Sequence, residues 1–268
     1  MSQDLISKMN TDFGNEVIEL STTLEKRIDD LRTRGVEIYP NIRIADDGKT
    51  AGTINVDDFA ILHMLVRTFK PRVVFEVGTW LGTSAMVIAD GMRMNGSGHV
   101  YTCDQNSYYA LDKAYDDIIT RLVGFSDTVV KDIPDASKVD MIFADGELTF
   151  GTLKALGPYM KDKTIIVTHD YEGIAEKGVT NLIRSQVVKH GAYEMILNPK
   201  INSDSDETTI AILLPPSIVS SFELQKTNSL RKYMYLIYLS VRTYSFLILR
   251  KLFRIINQFF KHYDQSNN

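Results

Sequence analysis

Val73-Val74-Phe75-Glu76-Val77-Gly78-Thr79-Trp80-Leu81-Gly82-Thr83-Ser84-Ala85 is the stretch whose reading decides the fold. Its first five residues are apolar apart from Glu76, as expected of a strand buried on both faces of a parallel sheet. Gly78 and Gly82 mark a tight loop, and Thr83 and Ser84 open an apolar run with helical spacing. Such a strand, loop and helix N-terminus lets a ligand lie against bare backbone at the positive end of a helix dipole.

The same alternation continues downstream. Strand 72–77 leads to helix 83–94, a Gly96-Ser97-Gly98 turn and strand 99–103. Helix 108–122 and strand 127–131 follow, then strand 139–144, helix 149–160, strand 164–168 and helix 176–190. Strands 192–197 and 208–214 have only a polar loop between them, which predicts an antiparallel pair at the sheet edge. The pattern predicts a doubly wound α/β fold: a mostly parallel seven-stranded sheet with one antiparallel edge strand. Upstream, Phe13, Val17, Leu20, Leu24, Ile28 and Leu31 give helical spacing over 4–34, with Gly35 as a stop. A second helix is expected from Asn55-Val56-Asp57-Asp58 through Phe69, ended by Pro71. The expected organisation is a lead-in over 1–52, a ligand-binding domain over 53–216 and an appended helix within 217–268.

Apolar content of 44% and charged content of 24% are those of an ordinary globular domain. The net charge of −4 gives no electrostatic reason to expect nucleic acid. Charge is unevenly spread, however. Residues 230–262 carry seven basic and no acidic side chains, which leaves −11 for the rest. Within them, Tyr233 to Leu249 is apolar except for Ser240, Arg242, Thr243 and Ser245, and Arg250, Arg254 and Lys261 recur opposite Phe253, Ile256 and Phe259. A cationic, aromatic-rich amphipathic helix suits a membrane surface, and a dimerisation helix or a tail anchor are the alternatives. The lone Cys103 excludes an intrachain disulfide and reads as a buried thiol. Met1-Ser2-Gln3-Asp4 lacks signal-peptide character, so a cytoplasmic protein, peripheral at the inner face of a membrane, is the expectation.

In open α/β sheets, ligands bind beyond the carboxyl ends of the strands. Here those ends carry Glu76, then Cys103-Asp104-Gln105-Asn106, then Asp132, then Asp145-Gly146-Glu147, then Thr168-His169-Asp170-Tyr171. The glycine spacing Gly78-x-x-x-Gly82 is neither the dinucleotide fingerprint nor a P-loop, which disfavours a pyrophosphate ligand. Asp104 is placed to accept hydrogen bonds from ribose hydroxyls. A ribose with little phosphate points to S-adenosylmethionine.

The stretch 75–84, Tyr101-Thr102-Cys103-Asp104, and Asp140-Met141-Ile142-Phe143-Ala144-Asp145-Gly146 together resemble the class I S-adenosylmethionine-dependent methyltransferases, in the small-molecule O-methyltransferase branch of catechol and macrolide-sugar type. The resemblance covers roughly residues 52–214. It implies that Glu76 lies near the ligand's amino group or braces the loop, and that Gly78, Thr79 and Gly82 form the methionine wall. Thr83 and Ser84 would donate at the helix N-terminus, with plain capping as the alternative; Asp104 would hold the ribose, Asp132 would lie near the adenine, and Asp145 would border the cofactor. Several relatives bind a divalent cation after the fourth and fifth strands; Asp145 and Asp170 match two of those positions, with His169 in place of a carboxylate, so Mg²⁺ or a similar ion is a candidate. Glu147 and His169 are the rival bases for a hydroxyl acceptor, and a structural hydrogen bond is the alternative for His169. The expected reaction is O-methylation of a small-molecule or glycosyl hydroxyl. Two other readings stay open: a non-methylating, nucleotide-binding or hydroxylase-like relative, and a scaffold recruited to membranes.

Overall fold

The computed structural model describes residues 2–42, 56–106, 108–134, 138–146, 148–169, 194–197, 199 and 208–221. The chain divides into two units, Met1–Lys226 and Thr227–Asn268. The basic stretch 230–262 and the expected helix 176–190 lie outside the described residues.

Seven strands form one sheet: β1 Val73–Val77, β2 His99–Asp104, β3 Ile119–Val123, β4 Val139–Ala144, β5 Met160–Thr168, β6 Glu194–Leu197 and β7 Ala211–Leu214. Their order is β3-β2-β1-β4-β5-β7-β6. The first five run parallel, and β7 is antiparallel to both β5 and β6. The reversed strand of the predicted hairpin therefore sits one place in from the edge. The chain order reverses beside β1, between β2 and β4, which puts a switch point at the end of the central strand.

Strand residues alternate between two cores, as pleating requires. Val74, Met141, Phe143, Ile165 and Val167 face a core shared with α1 Ser2–Ile38, α2 Val56–Phe69 and α3 Thr83–Met94. Phe75, Ile142, Ala144 and Ile166 face the opposite core with α4 Ser126–Val129 and α5 Phe150–Leu156. A further helix, α6 Pro216–Ser221, follows β7.

Three local expectations are corrected. Gly35 does not stop α1, which continues to Ile38. A Cβ at Gly35 would stand 2.7 Å from Leu81 Cδ2, so this glycine lets the helix press against the 78–82 loop. The expected helix 108–122 and strand 127–131 are also replaced. Only a single 3-10 turn, Lys113–Tyr115, precedes β3 at 119–123, and residues 126–129 are helical. Leu111, Tyr115, Ile118 and Leu122 repeat at helical spacing, but the alternating burial of β3 is that of an edge strand. Finally, the helix expected over 149–160 ends at Leu156, where Gly157-Pro158 tightens into a 3-10 turn and β5 begins early, at Met160.

Candidate active site

The loop after β1 is held open by its own backbone. Gly78 and Gly82 have φ of 103° and 95°, and Trp80 is also left-handed, at 45°. Gly78 and Thr79 donate to the Cys103 carbonyl at 2.8 and 3.2 Å, tying the loop to the end of β2. On its other side, Asp145 and Gly146 donate to the Val77 carbonyl at 2.9 and 2.8 Å. Between these strand ends lies a cavity of about 200 Å³ lined by Gly78, Cys103, Asp104, Gly124, Phe125, Ser126, Asp127 and Gly146. A larger open depression of about 620 Å³, lined by Lys131, Lys138, Pro158 and Tyr159 among others, takes in no residue of the glycine loop. Ligand-binding geometry favours the smaller cavity, at the switch point.

Asp104 ends β2 at the rim of this cavity. Its Oδ2 accepts from Trp80 N at 3.1 Å and its Oδ1 from Asn106 N at 2.9 Å. A carboxylate oxygen has two lone pairs, so both oxygens are oriented with acceptor capacity remaining. The bond from Trp80 also explains how a bulky residue is kept in a left-handed conformation.

Glu76, Thr83 and Ser84, which flank the loop, and Thr79 within it are all buried. Glu76 receives hydrogen bonds from Ser84 and Thr102, while its Oε1 has no partner among the described residues. Burial pushes its carboxyl from the ordinary 4.5 up to about 8, with Asp145 and Asp104 adding repulsion against the two hydrogen bonds. Thr79 Oγ1 lies 2.6 Å from Thr102 Oγ1, in the same buried cluster. The N-cap of α3 is Gly82, so neither Thr83 nor Ser84 occupies the capping position. Burial also pushes the Cys103 thiol up to about 12, in keeping with an inert cysteine.

Asp145 and His169 meet directly. His169 Nδ1 is 2.7 Å from Asp145 Oδ1, and Nε2 is 3.2 Å from Asp58 Oδ2. His169 is 7% exposed and Asp58 fully buried. With a carboxylate at each ring nitrogen, the geometry is that of a structural hydrogen-bonding hub, and neither nitrogen is presented to an acceptor. The same contact weakens the fit of a divalent cation at Asp145, and among the described residues no three His, Cys, Asp or Glu side chains converge as a metal site. Glu147 and Asp170 lie outside the described residues.

Asp132 is not at a strand end. It closes the 3-10 turn Val130–Asp132 and is exposed, because β3 ends nine residues earlier at Val123. Phe125, Ser126 and Asp127 take the place expected of it along the cavity. Sequence reasoning missed these residues and Asp58. Gly124, with φ of 146°, was the available sign of where β3 stops.

A family model described as a methyltransferase domain matches residues 75–171, from within β1 to just past β5. The chain is similar to a methyltransferase domain over these residues. Its fold is that of the class I methyltransferases. A Staphylococcus aureus protein described as a caffeoyl-CoA O-methyltransferase superposes with a TM-score of 0.51 at 18% identity, covering 75% of this chain and 98% of its own. A Klebsiella pneumoniae protein described as an O-methyltransferase gives 0.52 at 13% identity, covering 70% and 89%. No curated protein matches the sequence.

Proposed function

We propose that the protein transfers a methyl group from S-adenosylmethionine to an oxygen of a small-molecule or glycosyl acceptor. The observation that carries this reading is Asp104: a carboxylate oriented by two backbone N–H groups at the rim of a cavity walled by Gly78 and Gly146. Adjacent ribose hydroxyls suit its remaining lone pairs. In the proposed binding mode the methionine end lies along Gly78–Gly82 above Glu76, and the adenine lies by Phe125 and Ser126. The similarity of the fold to proteins described as O-methyltransferases supports oxygen as the acceptor atom.

Methyl transfer is an in-line displacement, so most of the rate comes from holding acceptor oxygen and sulfonium carbon in line within a dry site. A hydroxyl acceptor must also lose its proton. We assign that role to Glu147 from its sequence position, in preference to His169, whose ring nitrogens both face carboxylates. Because Asp145 Oδ1 is already engaged by His169, the proton is assigned to Glu147 rather than to a metal-bound base.

Calorimetry with S-adenosylhomocysteine tests the reading. The wild type is expected to bind, and Asp104→Asn to bind about tenfold more weakly, the usual effect of replacing a charged hydrogen-bond acceptor with a neutral one. No binding by the wild type refutes the proposal. Acceptors are then found by screening phenols and sugars with labelled cofactor, with and without EDTA.

The basic stretch 230–262 is proposed to hold the enzyme at an anionic membrane surface. Among the described residues no helix is long and apolar enough to cross a membrane. The full chain is expected to float with phosphatidylserine-containing liposomes at low salt and to be released at high salt; flotation that ignores salt and lipid charge counts against a surface helix.

A further inference from the structure

The Asp145–Gly146 turn is the back wall of the ligand loop. A Cβ on Gly78 would stand 2.8 Å from Gly146 N, so the two backbones are in close contact and a shift of the turn displaces the loop. Three segments remote in sequence converge on this turn. His169, at the end of β5, donates its own N–H to the Ala144 carbonyl at 2.9 Å and sets Nδ1 against Asp145 Oδ1. Asp58, in the first turn of α2, meets Nε2. Thr209, just before β7, donates its backbone N–H to Asp58 Oδ1 at 3.0 Å. Burying Asp58 and His169 against a third, half-buried ionisable side chain, Asp145, costs more than an apolar packing of the same volume, so packing alone does not call for them. What the chain of contacts provides is a fixed direction for the Asp145 carboxylate and the turn that bears it.

We infer that His169 and Asp58 are positioning residues, His169 pinning the Asp145–Gly146 turn beneath Gly78 and Asp58 fixing the imidazole that does so. The inference rests on the proposal that the Gly78–Gly82 loop receives the cofactor.

Two carboxamides at position 169 separate positioning from mere stability. The amide nitrogen of asparagine sits near the place of Nδ1, and that of glutamine near Nε2. His169→Asn therefore keeps a donor toward Asp145, whereas His169→Gln keeps one toward Asp58. Calorimetry with S-adenosylhomocysteine on the full chain, with urea unfolding alongside, is expected to show both variants similarly destabilised. His169→Gln loses about tenfold or more in affinity, the scale of one charge-assisted hydrogen bond, and His169→Asn loses about threefold. Asp58→Ala weakens affinity about fivefold in the wild type and no further once His169→Gln has broken the chain, the signature of coupled residues. Equal losses in the two carboxamides, or an additive effect of Asp58→Ala in the glutamine background, overturns the inference alone. Absence of binding by the wild type overturns the functional reading as well. Should His169→Gln not fold, unchanged affinity in Asp58→Ala overturns the inference by itself.

Discussion

Gly78→Ala is expected to lower affinity for S-adenosylhomocysteine by about a hundredfold or more and to destabilise the fold by about 3 kcal/mol. Two penalties combine at this residue. Its φ of 103° lies where L side chains rarely go. The added methyl would also stand 2.8 Å from Gly146 N and 3.1 Å from the Asp145 carbonyl carbon. Both obstacles are backbone, so relief requires moving the 145–146 turn away from the loop. That displaces the wall against which the methionine moiety is proposed to lie. Gly96 supplies the control. Its φ of 77° is likewise left-handed, yet among the described residues nothing lies within 4 Å of an added Cβ. Gly96→Ala should therefore cost only conformational strain, about 1 kcal/mol, and leave affinity at the wild-type value. Urea unfolding and calorimetry on the pair make the comparison. Wild-type affinity in Gly78→Ala removes this loop from the binding site.

The sequence shows the centre of the sheet plainly because central parallel strands are buried on both faces. Val73–Val77 and Val139–Ala144 read as apolar runs, and α3 begins and ends where its pattern says, at Thr83 and Met94. The edge is harder to read. Among the described residues β3 pairs only with β2 and is half exposed, so its apolar residues alternate and fall into step with an accidental helical period from Leu111 to Leu122. That shift set the expected end of the third strand beside Asp132, whereas β3 ends at Val123 and the residues that follow it along the cavity are Phe125–Asp127. Asp58 was hidden for another reason. An acid in the first turn of a helix ordinarily answers the helix dipole from solvent, and Asp57 beside it offers the same charge. Only the tertiary packing of α2 against the strand ends shows that Asp58 is fully buried and directed at His169. Alternation and capping are local signals, whereas the partner of a buried charge is decided by chain segments 111 and 151 residues away.

Glu76→Gln is expected to change both the pH dependence of stability and the proton balance of binding. Glu76 is fully buried, and burial holds its carboxyl at about 8 against an ordinary 4.5. The fold thus favours the neutral acid. That contribution is present in full below about pH 4.5 and is lost as pH rises through about 8. One proton difference is worth about 1.4 kcal/mol per pH unit, so the wild type should lose about 2 kcal/mol between pH 6 and pH 8. For a chain of this size that is a fall in Tm of about 4–8 °C, which glutamine, having no proton to lose, should largely remove. Ligand binding acts in the opposite sense. The Oε1, which has no partner among the described residues, lies by the loop where the cofactor's amino group is proposed to approach, and a nearby cation favours the ionised acid. Binding at pH 7 should then drive a proton out of Glu76. Calorimetry of S-adenosylhomocysteine in two buffers of different ionisation enthalpy reads this directly: the wild type should release up to about one proton, and Glu76→Gln none. Equal enthalpies for the wild type in both buffers would mean that Glu76 braces the loop as a neutral acid, with the amino group held elsewhere.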